Sequence, residues 1–298
     1  MIDSGEYKDE KEKTDWKTKM PPPIKKTNTA RHPSILVLEP IYGLANRMGF
    51  VDSAIALSKK LELDLQILWF RDPTLNCRFD DLYVVPQSIS RVVDIRLGNF
   101  SRLFRKILRA YFSHAFDFFA GPNQIKGLLA RQYNFEELQG CHRIFLWGYR
   151  QFYPSALPFS DLVPTKALQS LIDSYDLGER AVGVHIRRTD FKLSDYYSTT
   201  SWFIAAMKKE VQQDPNTVFF VASDSPDEEE RMRREFPDRI LVHRKRSYNR
   251  DNPIAVQDAL IDLYCLAKCR KLLGSYESSF SEMAWQIRGI EKHISSDV

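Results

Sequence analysis

Three apolar runs in the second half of the sequence each end in polar side chains of the kinds that hold phosphate and sugar. Residues 181–184 (Ala-Val-Gly-Val) lead into His185, then Arg187, Arg188 and Asp190. Residues 218–222 (Val-Phe-Phe-Val-Ala) lead into Ser223 and Asp224. Leu272 and Leu273 lead into Gly274 and Ser275, with Ser278 and Ser279 just ahead of a helical pattern. A guanidinium is a planar fork that pairs phosphate oxygens two at a time. The start of a helix offers unpaired N–H groups to an anion. A carboxylate accepts hydrogen bonds from a base or a ribose. Together these groups suit a nucleotide. Singly, each has a plainer reading: Arg187 and Arg188 as surface charge, Asp224 and Ser279 as helix caps.

The groups act together only if the three runs are parallel strands of one sheet, because ligands of such sheets bind beyond the carboxyl ends. The sequence predicts this arrangement. Strands at 181–186, 218–222, 240–242 and 271–273 alternate with helices near 202–212, 227–236, 253–269 and 280–287. Asn252-Pro253 marks a helix start, with Asn as N-cap and Pro at the first position. Ser279 and Glu282 have capping-box spacing. The first half opens the same way. Residues 35–38 (Ile-Leu-Val-Leu) read as a strand buried on both faces. Met48, Val51 and Ile55 form the stripe of a helix over 45–61, and 65–70 is a second strand. This βαβ unit predicts an α/β class with parallel sheets.

The chain has 298 residues, enough for about two domains. We place the boundary near Leu177-Gly178, giving a polar tail over 1–33 expected to be disordered, an α/β domain over 34–177 and a second over 178–298. Between 96 and 131 the reading is less determined. Arg102, Arg105, Lys106 and Arg109 alternate with Leu103, Phe104, Ile107, Leu108 and Phe112, and no acidic residue occurs from Arg96 to Phe116. The segment Arg96–Phe112 reads either as an ordinary surface helix or as a basic amphipathic one at a membrane surface or acceptor groove.

Several chemistries lack their residues. Gly43 and Gly49 form neither a dinucleotide fingerprint nor a P-loop. No His/Cys cluster has zinc spacing. No Asp-x-Asp follows a strand, so no bound metal is expected. A nucleophile elbow is absent. The net charge of +4 is too small and too spread for a nucleic-acid module, and the short run Arg244-Lys245-Arg246 does not change that. The four cysteines are expected to be buried thiols. No apolar run of about 20 residues predicts a spanning helix, and residues 1–6 show no signal-peptide core. A cytoplasmic chain is the expectation.

The strand-end segments also carry a resemblance. Residues 183–190, Gly-Val-His-Ile-Arg-Arg-Thr-Asp, resemble the H-x-R-R-x-D motif of the GDP-fucose-dependent fucosyltransferases, the superfamily of the α1,2-, α1,6- and protein O-fucosyltransferases. The Ser223-Asp224-Ser225-Pro226 strand end, and the stretch from Asp258 to the Ser278-Ser279-Phe280-Ser281 segment, are similar to two further motifs of that family. The turn Gly43-Leu44-Ala45-Asn46-Arg47 resembles its G-x-x-N-[RQ] turn. The matches run in family order over roughly residues 35–290.

The resemblance implies a GT-B architecture, two Rossmann-like domains facing across a cleft. It implies inverting, metal-independent transfer of fucose from GDP-β-L-fucose to a glycan hydroxyl, with no cofactor beyond the donor. By position, Arg187 would stabilise the leaving GDP. His185, Arg188 and Asp190 would shape the nucleotide site, Asp224 would meet guanine or ribose, and Ser278, Ser279 and Phe280 would lie at the phosphates. Gly43 and Asn46 would belong to the facing turn. Asp195, eight residues after Arg187, stands where α1,6 enzymes place a carboxylate base, and Glu39 is the second candidate. Ser225 departs from the second Asp of the α1,6 enzymes, and Phe280 stands where some relatives carry Gln. Two other readings stay open: the same fold with another nucleotide-sugar donor, and a nucleotide- or glycan-binding protein without catalysis.

Overall fold

The computed structural model describes residues 34–96, 98–188, 196–249 and 251–295. The predicted tail over 1–33 lies outside them, as do Asp190 and Asp195.

Two five-stranded parallel sheets are present. The first contains β1 (Ile35–Pro40), β2 (Asp64–Phe70), β3 (Ile89–Ile95), β4 (Phe118–Ala120) and β5 (Arg143–Gly148), in the order β3-β2-β1-β5-β4. Its helices are α1 (Leu44–Leu61), α2 (Ser101–Ala115) and α3 (Pro122–Ala130), and α4 (Lys166–Asp173) follows. The second sheet contains β6 (Ala181–Ile186), β7 (Val218–Ser223), β8 (Ile240–Leu241), β9 (Lys271–Gly274) and β10 (Glu291–Ile294), in the order β10-β9-β6-β7-β8. It carries α5 (Thr200–Gln213), α6 (Pro226–Glu235), α7 (Pro253–Lys268) and α8 (Ser279–Arg288).

The central strands are the ones whose apolar runs are unbroken. All six residues of β6 are buried, and so are the last five of β1. A strand covered on both faces has no use for alternation. Gly183 lets a helix settle close on β6: a Cβ there would stand 3.1 Å from Leu266 of α7. Asn252 caps α7, its side chain accepting from the Ile254 N–H at 3.0 Å, and Pro253 opens the helix as the sequence predicts. The cap of α8 differs from the prediction. Ser278, not Ser279, is the N-cap, and its hydroxyl makes no capping bond. The short strands β4 and β10 escape sequence reading because three or four residues carry too little pattern.

In each sheet the chain builds outward from the central strand, then crosses to the other side. The crevice at this reversal lies between β6 and β9 in the second half and between β1 and β5 in the first. The two halves share one apolar cluster that includes residues of α1, α7 and Met283 of α8. Gly49 of α1 permits the approach of α8, since a Cβ there would stand 3.1 Å from the Met283 methyl. Tyr264 donates to the Leu162 carbonyl, and Lys268 to the carbonyls of Ile172 at 3.0 Å and Tyr175 at 3.2 Å. Thus α4, which precedes the predicted boundary, packs on α7 of the second half. Among the described residues no helix is long and apolar enough to cross a membrane.

Candidate functional site

A cavity of about 510 Å³ opens between the carboxyl ends of the two sheets. One wall comes from the turn after β1 and the start of α1, Tyr42 to Asn46, together with Pro73, Thr74 and Leu75 after β2. The other wall carries His185, Arg187, Ser223, Asp224 and Ser278 to Phe280. The predicted strand ends therefore converge on one space, and Gly43 and Asn46 face them.

Arg187 is delivered by a rigid strand end. The Ser275 hydroxyl donates to the His185 carbonyl at 2.9 Å and accepts from the Arg187 N–H at 3.0 Å. It fixes the chain on both sides of Ile186. The His185 ring is pinned too, with Nδ1 at 2.7 Å from the Ser281 hydroxyl and its face stacked on Phe280 at 4.8 Å.

Arg188 is not part of the cavity lining, a correction to its predicted ligand role. Alternation along an extended chain turns it to the other side. Its Nε donates to Glu228 Oε1 at 3.1 Å, Nη2 to Thr200 at 3.2 Å and Nη1 to the Arg187 carbonyl at 2.9 Å. Its N–H donates to Asp224 Oδ1 at 2.8 Å. Arg188 braces Arg187 and Asp224 from behind.

Ser278 has an unusual position. Its hydroxyl is buried, makes no cap and has no hydrogen-bond partner among the described residues. It sits at the N-terminus of α8, where backbone N–H groups also lack helical partners. A helix start with a spare hydroxyl inside a cavity can offer hydrogen-bond donors to an anion.

Sequence reading did not select Tyr248 and Asp262, and noted Lys245 only in the Arg244-Lys245-Arg246 run, which also fits a diphosphate loop; all three line the cavity. Lys245 pairs with Glu229 and, at 3.1 Å, with Asp262 Oδ2. Tyr248 donates to Glu229 at 3.2 Å. Asp262 Oδ1 is buried with no partner among the described residues. Burial pushes the Asp262 carboxyl up to about 6, against the pull of Lys245. Burial also acts to lower Lys245, but Asp262 and Glu229 outweigh it and hold the ammonium above its ordinary range. The signal for Asp262 was present: Asp258 and Asp262 stand four apart in an otherwise apolar helix. Asp258 is spent on Arg246 at 2.6 Å and His243 at 3.2 Å, whereas Asp262 keeps one oxygen unspent.

Glu39 is a second correction. It is the penultimate residue of β1, fully buried and outside the cavity lining. Arg109 of α2 grips both carboxylate oxygens, Nη2 on Oε1 at 2.6 Å and Nε on Oε2 at 2.8 Å. The same guanidinium lies 3.6 Å from the Trp147 ring. Glu39 and Trp147 are register partners on β1 and β5, so α2 plugs the crevice of the first sheet. A carboxylate held this way cannot reach an acceptor hydroxyl as it stands.

Arg47 organises the facing wall. It is fully buried, and burial lowers its pKa to about 10. Its Nε donates to the Tyr42 carbonyl at 2.7 Å, Nη1 to the Phe70 carbonyl at 2.6 Å and Nη2 to Asp72 at 3.4 Å. Tyr42 is held in the left-handed region at φ 68, a conformation that non-glycine residues adopt when the surroundings demand it. All four cysteines are buried. Among the described residues no three His, Cys, Asp or Glu side chains are grouped to hold a metal.

No family model and no curated protein matches this sequence. Solved structures do. The NodZ α-1,6-fucosyltransferase of Bradyrhizobium, in crystals soaked with GDP-fucose, superposes with a TM-score of 0.60 at 17% identity, covering 86% of this chain and 93% of its own. An arginine-to-lysine mutant of Arabidopsis thaliana FUT1 in complex with GDP gives 0.58 at 12% identity, covering 90% and 71%. POFUT1 in complex with GDP-fucose gives 0.52 at 13% identity, covering 88% and 98%. The chain shares the fold of these enzymes, the GT-B arrangement of two Rossmann-like halves.

Proposed function

We propose that this protein transfers L-fucose from GDP-β-L-fucose to a glycan hydroxyl, inverting the anomeric centre and using no metal ion. One observation carries the reading: Arg187, the uncapped start of α8 and the unpaired oxygen of Asp262 all line the same cavity. Solved structures of the same fold, crystallised with GDP or GDP-fucose, support the choice of donor.

The roles follow from chemistry. Breaking the sugar–phosphate bond leaves negative charge on the diphosphate. Arg187 and the Ser278–Ser279 helix start supply fixed positive potential where that charge develops, which is what electrostatic catalysis requires. Asp262 Oδ1 accepts from a base. Guanine presents N–H donors on its pairing edge, so an acceptor there selects guanine over a base that offers a lone pair. Asp224 is left for the ribose hydroxyls, and Phe280 with His185 closes the floor.

The acceptor enters from the Tyr42–Asn46 and Pro73–Leu75 wall, opposite Arg187. Its oxygen attacks the anomeric carbon as the bond to the diphosphate breaks, so configuration inverts in a single displacement. The hydroxyl proton must pass to a base on the acceptor side. Asp195 keeps that role by its place in the sequence. Asn46 can hold the hydroxyl but cannot take its proton.

The test is incubation with labelled GDP-fucose and a panel of oligosaccharide acceptors, in EDTA, with the linkage read by NMR. Transfer should persist in EDTA and give an α-linked product. Loss of transfer that manganese restores would overturn the metal-free reading. Transfer from GDP-mannose in preference to GDP-fucose would replace the donor. Tight GDP binding with no transfer to any acceptor would leave a binding protein.

A further inference from the structure

Helix α2 departs from an ordinary surface helix along much of its length. Its charged residues Arg105 and Arg109 point inward, onto Glu39 and Asp72. Phe112 packs inward, stacked on Phe145 at 4.4 Å, but several of the helix's large apolar residues point outward. Leu103, Ile107 and Tyr111 recur every fourth residue and are 59%, 60% and 63% exposed. Phe100, in the turn before the helix, is 75% exposed, and Phe104 also reaches solvent. No residue of α2 is fully buried. A stripe of exposed Arg102 and Lys106 runs beside the apolar one. An apolar face of this kind on a folded surface marks an interaction site.

The charge on this face decides what covers it. From Arg96 to Phe116 the sequence holds no acidic residue. A second copy docking by twofold symmetry would set two such basic stripes against one another. An anionic lipid surface answers both stripes at once. The apolar side chains enter the boundary between headgroups and acyl chains, and the Arg and Lys heads stay at the phosphates.

We propose that α2, with Phe100, is a docking face for anionic membrane surfaces. The face adjoins the acceptor side of the cleft. Asp72 holds Arg105 at 2.8 Å, and the next three residues line the cavity. A lipid surface bound to α2 therefore lies beside the wall through which the acceptor enters.

The experiment is co-sedimentation of the full chain with phosphatidylcholine vesicles, with and without phosphatidylserine. Binding is expected with phosphatidylserine, weak without it, and released by salt. Arg102→Glu with Lys106→Glu should weaken partitioning by about fivefold or more per residue. Leu103→Ser with Ile107→Ser should abolish it. GDP affinity and melting temperature should stay unchanged in both, because these side chains touch neither the cavity nor the core. If the apolar pair fails to fold, the charge pair decides alone. No binding to phosphatidylserine vesicles overturns the proposal. So does binding that both pairs leave intact, which would move it to another part of the chain. A dimer that Leu103→Ser with Ile107→Ser dissociates, without vesicle binding, would give the face to a second copy.

Discussion

Ser275 holds the backbone on both sides of Ile186, so the Arg187 guanidinium reaches the cavity from a strand end that cannot relax. Arg187→Ala is expected to lower turnover about 10²-fold or more, the loss typical of one donor aimed at developing negative charge. Arg187→Lys should rescue little, because a point charge does not reproduce a fork. Neither should move the melting temperature. Arg188→Ala should do the opposite. It strips Glu228 of its cation in a largely buried setting, a loss of about 3 kcal/mol at the low end for such pairs. Thermal melting and single-turnover rates on the same preparations separate the two. A normal melt with near-normal transfer in Arg187→Ala would remove this arginine from the chemistry.

Asp262 gives a second prediction at this scale. Asp262→Asn replaces one acceptor oxygen by a donor, and GDP should bind about tenfold to a hundredfold more weakly. The wild-type acceptor is ionised above about pH 6 and is progressively protonated below it. GDP affinity should hold above that pH and weaken as pH falls through it. The terminal phosphate of GDP titrates nearby, so the measured quantity is the difference between wild type and Asp262→Asn across pH 5 to 8. Identical profiles would take Asp262 out of base recognition. Folding responds with the other sign. A carboxyl raised from 3.8 to about 6 contributes stability that is complete below the lower value and lost as pH rises through the upper. Asp52, also raised to about 6 by burial, acts on melting in the same direction but lies away from the cavity.

The elements differ in how they use their ends. The cap of α7 is ordinary: Asn252 spends its side chain on the helix. The cap of α8 is not, because the Ser278 hydroxyl makes no capping bond and Ser278 lines the cavity. Replacing a working N-cap by alanine destabilises by about 0.5–2 kcal/mol. Ser278→Ala should therefore melt within about 0.5 kcal/mol of wild type, as substitutions away from special features do, while GDP binds several-fold more weakly. Urea titration and calorimetric GDP binding check the pair of outcomes. A loss of stability without a loss of affinity would make Ser278 a conventional cap. Helix α2 shows a different economy. Its inward arginines pair with Glu39 and Asp72 at the end of the first sheet, where a doubly wound sheet normally offers a crevice to a ligand.

At the scale of the molecule, the two halves are not independent. The apolar cluster runs through α1, α7 and α8, so unfolding either half strips the other of its packing. Differential scanning calorimetry should show one transition, moved upward by GDP in proportion to the logarithm of its concentration. Two separated transitions, with only the later one responding to GDP, would show that the halves fold alone.

Local pattern was enough for the outline of this protein. An unbroken apolar run must be a buried strand, and the polar residue after it must lie at the strand's end, because chain neighbours cannot separate. That placed His185, Arg187, Ser223 and Asp224 on one rim, and the βαβ order made the rim a site. Ser278, Ser279 and Phe280 were legible for the same reason, at the next loop. Other features depend on which face turns where. Arg188 follows Arg187 yet points away, and Glu228 and Thr200, brought from other elements, help hold it there. Glu39 is the penultimate residue of its strand and Arg187 follows another, but a helix some 70 residues on covers Glu39. Lys245 follows β8 but reads in the sequence as part of a short basic run, and Asp262 sits inside a helix with no strand-end signal until the packing of α7 on β6 turns it into the cavity. Sequence neighbours are fixed by covalent geometry. The pairing of distant charges is fixed only when burial leaves them no water, and that is decided by the tertiary fold.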